Sequence, residues 1–261
     1  MTKSTSPRSE QALRAQPESS CCPIVELRQY TLYPGKRDVL IDLFERTFIE
    51  SQEAVGMQLI GQFRDLDNPN RFVWLRGFRD MPSRAQALND FYSGPVWKAH
   101  REAANATMID SDNVLLLRPA RPTSGFSLER RDRPVPGATA VQAGLVIATI
   151  YYFDAPVSAD VVGFFESRVK PVLTDSGASI LAALVTEESP NTFPALPVRE
   201  GEHVLVWLAR FGDQAAYEQH VTALARSRPW RDEVSEELGR RLKGAPEVVK
   251  LLPTARSQLH G

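Results

Sequence analysis

The sequence predicts an α+β protein in which two βαββαβ units close one barrel within a single chain. Three observations lead there. The stretch Asn70 to Phe78, Asn-Arg-Phe-Val-Trp-Leu-Arg-Gly-Phe, returns as His203 to Phe211, His-Val-Leu-Val-Trp-Leu-Ala-Arg-Phe, so that Trp74 matches Trp207, Leu75 matches Leu208 and Phe78 matches Phe211. A spacing of roughly 130 residues is too long for a solenoid repeat and suits one small domain. Strand and helix patterns fall in the same order around both stretches. A sheet with its helices on one face leaves the other face bare, and two such units can cover each other.

In the first unit, Ile24 to Leu32 alternates as a strand, with Val25 and Leu27 on one face and Glu26, Arg28 and Tyr30 on the other. Pro34-Gly35 turns the chain. Arg37 to Glu53 is an amphipathic helix with Leu40, Leu43, Phe44, Thr47 and Phe48 on one side, and Gly56 marks its stop. Met57 to Arg64 is a second strand, joined through Asp67-Asn68-Pro69-Asn70 to the central one as a hairpin. Ser83 with Gln86 reads as a capping box for a helix bearing Leu88, Phe91 and Tyr92. Ser93-Gly94-Pro95 interrupts it, Val96 to Asn105 resumes as helix, and Asn113 to Arg118 is the closing strand.

The second unit repeats the order: strand Leu145 to Phe153, a helix capped by Ser158, strand Ala178 to Thr186, strand His203 to Phe211, a helix capped by Asp213, and strand Glu247 to Leu252. Ser227-Arg228-Pro229-Trp230 echoes the break at Ser93-Gly94-Pro95. The largest departure is the proline-bearing loop Glu187 to Glu202, which is either a lid or a permissive insertion. The expected boundaries are a disordered tail over 1–23, units over 24–119 and 145–253, a linker over 120–144 and a closing tail over 254–261. In the linker, Phe126 and Leu128 are expected to rest on a surface, and Glu129-Arg130-Arg131-Asp132-Arg133 to be a solvated charge run.

Composition narrows the function classes. The 261 residues are 43% apolar, enough for a real core, and the net charge of −1 carries no basic domain or stripe for nucleic acid or anionic membrane. No apolar run approaches the ~20 residues of a membrane helix. Met1 to Ser20 has no hydrophobic segment of a secretory leader, and Glu10 and Glu18 argue against a mitochondrial one. The two cysteines, Cys21 and Cys22, are adjacent, a poor geometry for a disulfide, and fit a reducing cytoplasm. Neither metal-ligand spacing, a phosphate-binding glycine loop nor a hydrolase elbow occurs, so no cofactor or metal is expected. His100 and His220 read as partly exposed helix histidines.

Three segments in order carry a family resemblance: Glu26-Leu27-Arg28-Gln29-Tyr30-Thr31-Leu32 with Pro34-Gly35, Phe72-Val73-Trp74-Leu75-Arg76-Gly77-Phe78, and Gly94-Pro95-Val96-Trp97. The chain resembles the NIPSNAP family over most of Val25 to Pro119 and more loosely over Leu145 to Pro253. The resemblance implies the ferredoxin-like, dimeric α/β-barrel architecture, here as a tandem fusion. It implies no settled activity. The wider superfamily holds cofactor-independent monooxygenases, haem-degrading enzymes, lactone isomerases and dehydratases, and fold alone does not choose among them.

The residues supply candidates of their own. Gln58 and Gln62 on the second strand, and Trp74 and Arg76 on the central one, share the parity of Glu26, Arg28 and Tyr30. If the apolar faces pack under the helices, this polar set converges in the barrel interior. The second unit places Ile147, Thr149 and Ala209 where the first has Glu26, Arg28 and Arg76, while Tyr151 matches Tyr30. A polar half facing an apolar wall that includes Tyr151 and Trp207 describes a small-molecule pocket. Glu26 would be a general base if desolvation raised its pKa, Tyr30 a proton donor, and Arg28 and Arg76 would hold a carboxylate or enolate. The alternative is a structural ion pair of Glu26 with Arg28 and Arg76, with Trp74 and Trp207 as core residues. Two functions follow. One is a barrel binding a small, anionic or aromatic organic molecule, with a cofactor-free isomerase, lyase or monooxygenase-type step on it. The other is a non-catalytic interaction protein with a packed barrel. Fusion removes the need for a dimer, though outer sheet edges would still allow a homo-oligomer.

Overall fold

A computed structural model describes residues 21–128, 133–140 and 142–260. Residues 1–20 of the expected 1–23 tail and Glu129 to Asp132 of the charge run lie outside the described residues, whereas Cys22 of that tail is buried. The first half runs β1 (Ile24–Leu32), α1 (37–53), β2 (Gln58–Asp65), β3 (Arg71–Phe78), α2 (Met81–Ser93), α3 (Pro95–Asn105), a short β4 (Met108–Asp110) and β5 (Val114–Pro119). The second runs β6 (Leu145–Phe153), α4 (159–175), β7 (Ser179–Thr186), β8 (His203–Phe211), α5 (Gln214–Arg226), α6 (230–241) and β9 (Glu247–Pro253). These are tandem ferredoxin-like units.

The strands form one closed antiparallel barrel in the order β1-β3-β2-β9-β6-β8-β7-β5 and back to β1, with β4 added outside on β1. The halves are joined at two seams, β2 with β9 and β5 with β7. Every ring strand therefore has two hydrogen-bonded neighbours, which removes the open edges on which sheets associate.

The interior is packed with mainly apolar side chains. Val25, Leu27, Val73 and Leu75 from the first half meet Val146, Ala148, Leu184, Val206 and Leu208 from the second in one buried cluster. Cys22 and Leu259 belong to it, and so does Phe126, which is interior rather than resting on a surface. Gly77 is required there: a Cβ would come 2.3 Å from Cys22 Sγ. Outside the barrel, each half buries a second cluster between its own sheet and helices.

This arrangement reverses the expected faces. An eight-stranded barrel is narrow enough for side chains to fill, and here the aliphatic face of β1 helps to fill it. Glu26, Arg28 and Tyr30 turn outward, under α1, α2 and α3. Isolated charges could not enter the interior without partners, whereas the helices bring partners to them.

Local chemistry explains the helix ends. Asp80, not Ser83, caps α2: its Oδ1 accepts from Ser83 N at 2.7 Å, and Gln86 instead donates to Asp90. Ser158 and Asp213 cap α4 and α5 as expected. Gly56 follows α1 at φ +92°, a left-handed position that suits glycine. One π-helical turn, Phe44–Phe48, sits inside α1, and related turns occur in α4 and α6. The 254–260 segment, expected as a tail, is packed against that first π turn. Arg256 N donates to Glu45 Oε1 at 2.9 Å, and Arg256 Nη1 takes the Glu45 carbonyl.

Because both halves share the interior, Leu75→Ala should lower stability by about 2–5 kcal/mol without splitting the transition. Urea unfolding followed by far-UV circular dichroism and by tryptophan fluorescence should give coincident curves; separate midpoints would show two independent cores.

Candidate functional site

The site grows from the outward face of β1 and β3. Strand register sets Glu26 opposite Arg76 and Arg28 opposite Trp74. All four are buried. Arg28 Nη1 donates to Glu26 Oε2 at 2.7 Å, Arg76 Nε donates to the same oxygen at 2.8 Å, and Arg84 Nε from α2 donates to Glu26 Oε1 at 2.7 Å. One carboxylate thus holds three guanidiniums, each with a fully buried side chain.

That geometry decides what Glu26 can do. Burial pushes its carboxyl up, but Arg76, Arg28 and Arg84 beside it outweigh burial and hold it below the usual carboxylate range. Glu26 is therefore an anchor and not the poised base that desolvation alone would make. Tyr30 behaves differently. Burial pushes its phenol up, and its Oη accepts from Arg28 Nε at 3.0 Å. The phenol keeps its own proton and can still donate it.

Tyr30 opens onto a cavity between the sheet and the helices. Tyr30, Gln52 and Trp74 form its floor, and Phe48, Tyr92 and Trp97 stand in its walls. The unfilled space is about 350 Å³ with its mouth included. Its enclosed part has room for about two waters. The π turn presents Phe44 and Phe48 to the cavity together, a common use of such turns at sites.

The floor touches the arginine layer directly. Arg76 Nη1 donates to Gln52 Oε1 at 3.0 Å, and Trp74 has Arg28 at 5.5 Å and Arg76 at 5.0 Å from its ring centre. Those distances permit cation–π attraction. The Glu187–Glu202 loop of the second half reaches this same site. Arg84 Nη1 donates to Asn191 Oδ1 at 3.0 Å and to Thr192 Oγ1 at 3.2 Å, while Phe193 stacks on Tyr92 with centroids 5.9 Å apart.

The remaining candidates separate. Gln62 lies beside Trp74 in register, fully buried, with its side-chain amide unpaired among the described residues. Gln58 does not join the set: a bulge between Leu59 and Gly61 changes its parity, and its amide meets Gln258. Tyr151 and Trp207 lie in the second half's own helix-covered cluster, so they form no wall for the first half's polar set. His220 is buried rather than partly exposed, with Nδ1 3.1 Å from Ser176 O, and burial lowers its pKa.

Arg84, Gln52 and the Asn191–Phe193 contact were not foreseen. Arg84 left a signal: it precedes Leu88 and Phe91 by four and seven residues, on the apolar stripe of α2. Gln52 likewise follows Phe48 by four. Among the described residues no cluster of side chains could hold a metal ion, and no helix is long and apolar enough to cross a membrane.

Fold and site define a single-chain α/β barrel with an aromatic cavity under the helices of one half. Residues 25–122 match the NIPSNAP family model. Over the whole chain, the fold is similar to that of a monooxygenase-like protein from Lactobacillus acidophilus NCFM, at 19% identity over 92% of this chain and 98% of that one, TM-score 0.54. An anthrone oxidase-like protein is similar at 14% identity over 93% and 98%, TM-score 0.54. A NIPSNAP-like domain protein from Burkholderia xenovorans is 28% identical over 43% of this chain and 90% of its own, TM-score 0.34. No curated protein matches the chain.

Glu26→Gln should cost about 3–5 kcal/mol, because it leaves three buried cations without their shared anion. The pH dependence has a definite sign. With a lowered folded pKa, Glu26 contributes fully above the unfolded glutamate value of about 4.3, and the contribution is lost as pH falls through the folded value. Urea titrations from neutral pH to about pH 3 should show an acid limb in the parent that is reduced in the variant. Equal limbs would remove Glu26 as its source.

Proposed function

We propose that the chain binds a small, partly apolar organic molecule, anionic or aromatic, in the cavity under α1, α2 and α3, and acts on it without a cofactor. The observation that carries this reading is Tyr30: a protonated phenol on the cavity floor, fixed from behind by Arg28 and ringed by aromatic side chains. Such a group stabilises charge developing on a substrate oxygen, as enolate-forming isomerisation, dehydration or oxygenation require. The loop Glu187–Glu202 is the lid in this reading, since the cavity is too tight for a ligand while Phe193 and Asn191 rest on Tyr92 and Arg84. Matching strand registers in the two halves support an internal duplication in which only the first half kept a polar site. The adjacent thiols of Cys21 and Cys22 suit a reducing compartment such as the cytoplasm.

A filled barrel interior favours the second reading, a non-catalytic interaction protein, because it removes the barrel lumen as a site. Native mass spectrometry of the purified protein, followed by denaturation and small-molecule identification, separates the two. The ligand reading expects a co-purifying organic molecule that Ala104→Leu, which fills the cavity, displaces while the melting temperature holds or rises. A clean mass for the parent, with no response to a metabolite thermal-shift panel, would favour the interaction protein.

Tyr30→Phe should leave the fold intact, because the ring stays packed, and lower kcat about 10²-fold or more with a smaller change in KM on whichever substrate that screen yields. An unchanged kcat would remove Tyr30 from the chemistry.

A further inference from the structure

We infer that the ligand of this cavity is an aryl oxyanion: a planar ring bearing a carboxylate or an equivalent oxygen anion, whose charge completes the arginine cluster behind the cavity floor. The inference rests on the pocket reading above and names its ligand class.

The charges do not balance within the chain. Arg28, Arg76 and Arg84 are wholly buried, and Glu26 is the one carboxylate bonded to them among the described residues. The other titratable groups beside Arg28 are the phenols of Tyr30 and Tyr92. Tyr30 stays neutral, since burial raises its pKa. The cluster therefore carries an excess of two positive charges in a setting where an uncompensated charge is strongly disfavoured.

The donors do not balance either. Arg28 Nη2, Arg76 Nη2, Arg84 Nη2 and the indole Nε1 of Trp74 are buried without a hydrogen-bond partner among the described residues. Native interiors seldom leave such donors unmade; of the four, Trp74 lines the cavity itself and the three arginines lie in the layer behind it, so an acceptor with several lone pairs is called for on the cavity side. An oxyanion is that acceptor, and guanidinium groups suit its planar, two-pronged form.

The cavity supplies the rest of the ligand's shape. Trp74 belongs both to the unpaired set and to the floor, while Tyr30 and Gln52 join that floor to Arg28 and Arg76. The walls are ring faces and edges, with Tyr92 and Trp97 4.9 Å apart at 79°. A flat apolar body fits between rings better than a branched or polar one. The second half is an internal control. Its register places Ile147, Thr149 and Ala209 where the charged residues would be, and these positions belong to or adjoin an apolar cluster that holds no buried ion pair of the Glu26 kind among the described residues.

The test pairs anions with neutral isosteres. Benzoate, salicylate and 1-naphthoate are titrated against benzamide, salicylamide and 1-naphthamide by calorimetry and thermal shift, with sodium phosphate and sodium chloride at matched ionic strength as further arms. At least one carboxylate should bind tenfold or more tighter than its amide, with neither salt reproducing the shift. Trp74→Phe, which keeps a ring and removes the N–H, should weaken the carboxylate and spare the amide. Amides binding as well as carboxylates would overturn the anion inference and leave the pocket reading standing. Phosphate alone matching the carboxylates would overturn the aryl part in favour of an inorganic anion. No arene of either kind binding would overturn both readings.

Discussion

The buried carboxylate of Glu26 is the constraint on which the first half depends. It ties together a strand neighbour, a residue two positions along its own strand and a helix residue, and through Arg84 it touches a loop from the other half. A buried ion cluster is a weak source of stability compared with an apolar core. Its value lies in geometry: Glu26 is the shared anion of three buried guanidiniums, so packings of α2 that carry Arg84 away from it leave a buried cation unpaired and are penalised. The same tie positions Tyr30, since the guanidinium that grips Glu26 also donates to the phenol.

The barrel makes this possible by filling its interior mainly with aliphatic side chains from both halves. Its ring leaves no edge for outside pairing. Polar chemistry is displaced to the gap between sheet and helices. There the π turn of α1 adds aromatic wall, and the closing segment of the chain supplies Arg256 to the carbonyl and carboxylate of Glu45.

Much of this was legible in the chain and some was not, for physical reasons. Strand order, both β1-like strands and the caps at Ser158 and Asp213 follow from local patterns. The correspondence of Glu26, Arg28 and Arg76 with Ile147, Thr149 and Ala209 is reproduced by the strand registers. The direction in which the faces point was not legible, because both faces of β1, β3 and β6 are buried and alternation does not say which side is the interior. The bulge beside Gly61 broke the parity rule on which Gln58 was grouped. The ambiguity of the faces, not a bulge, groups Tyr151 and Trp207 with the first half's polar set, whereas they lie in the second half's own cluster. The reach of Asn191 to Arg84 spans more than a hundred residues and has no local signature.

The loop from the second half has a consequence for stoichiometry. Two separate chains arranged symmetrically would each cover the other's cavity, and the assembly would offer two equivalent sites. In the fused chain one half lacks the charges and the other receives the cover, so the proposed ligand would have a single place per molecule, with floor and cover from different halves. Binding there would titrate one-to-one, without the second site through which a symmetrical pair could show cooperativity. A change along the second half's loop would then be felt by a ligand held against the first half.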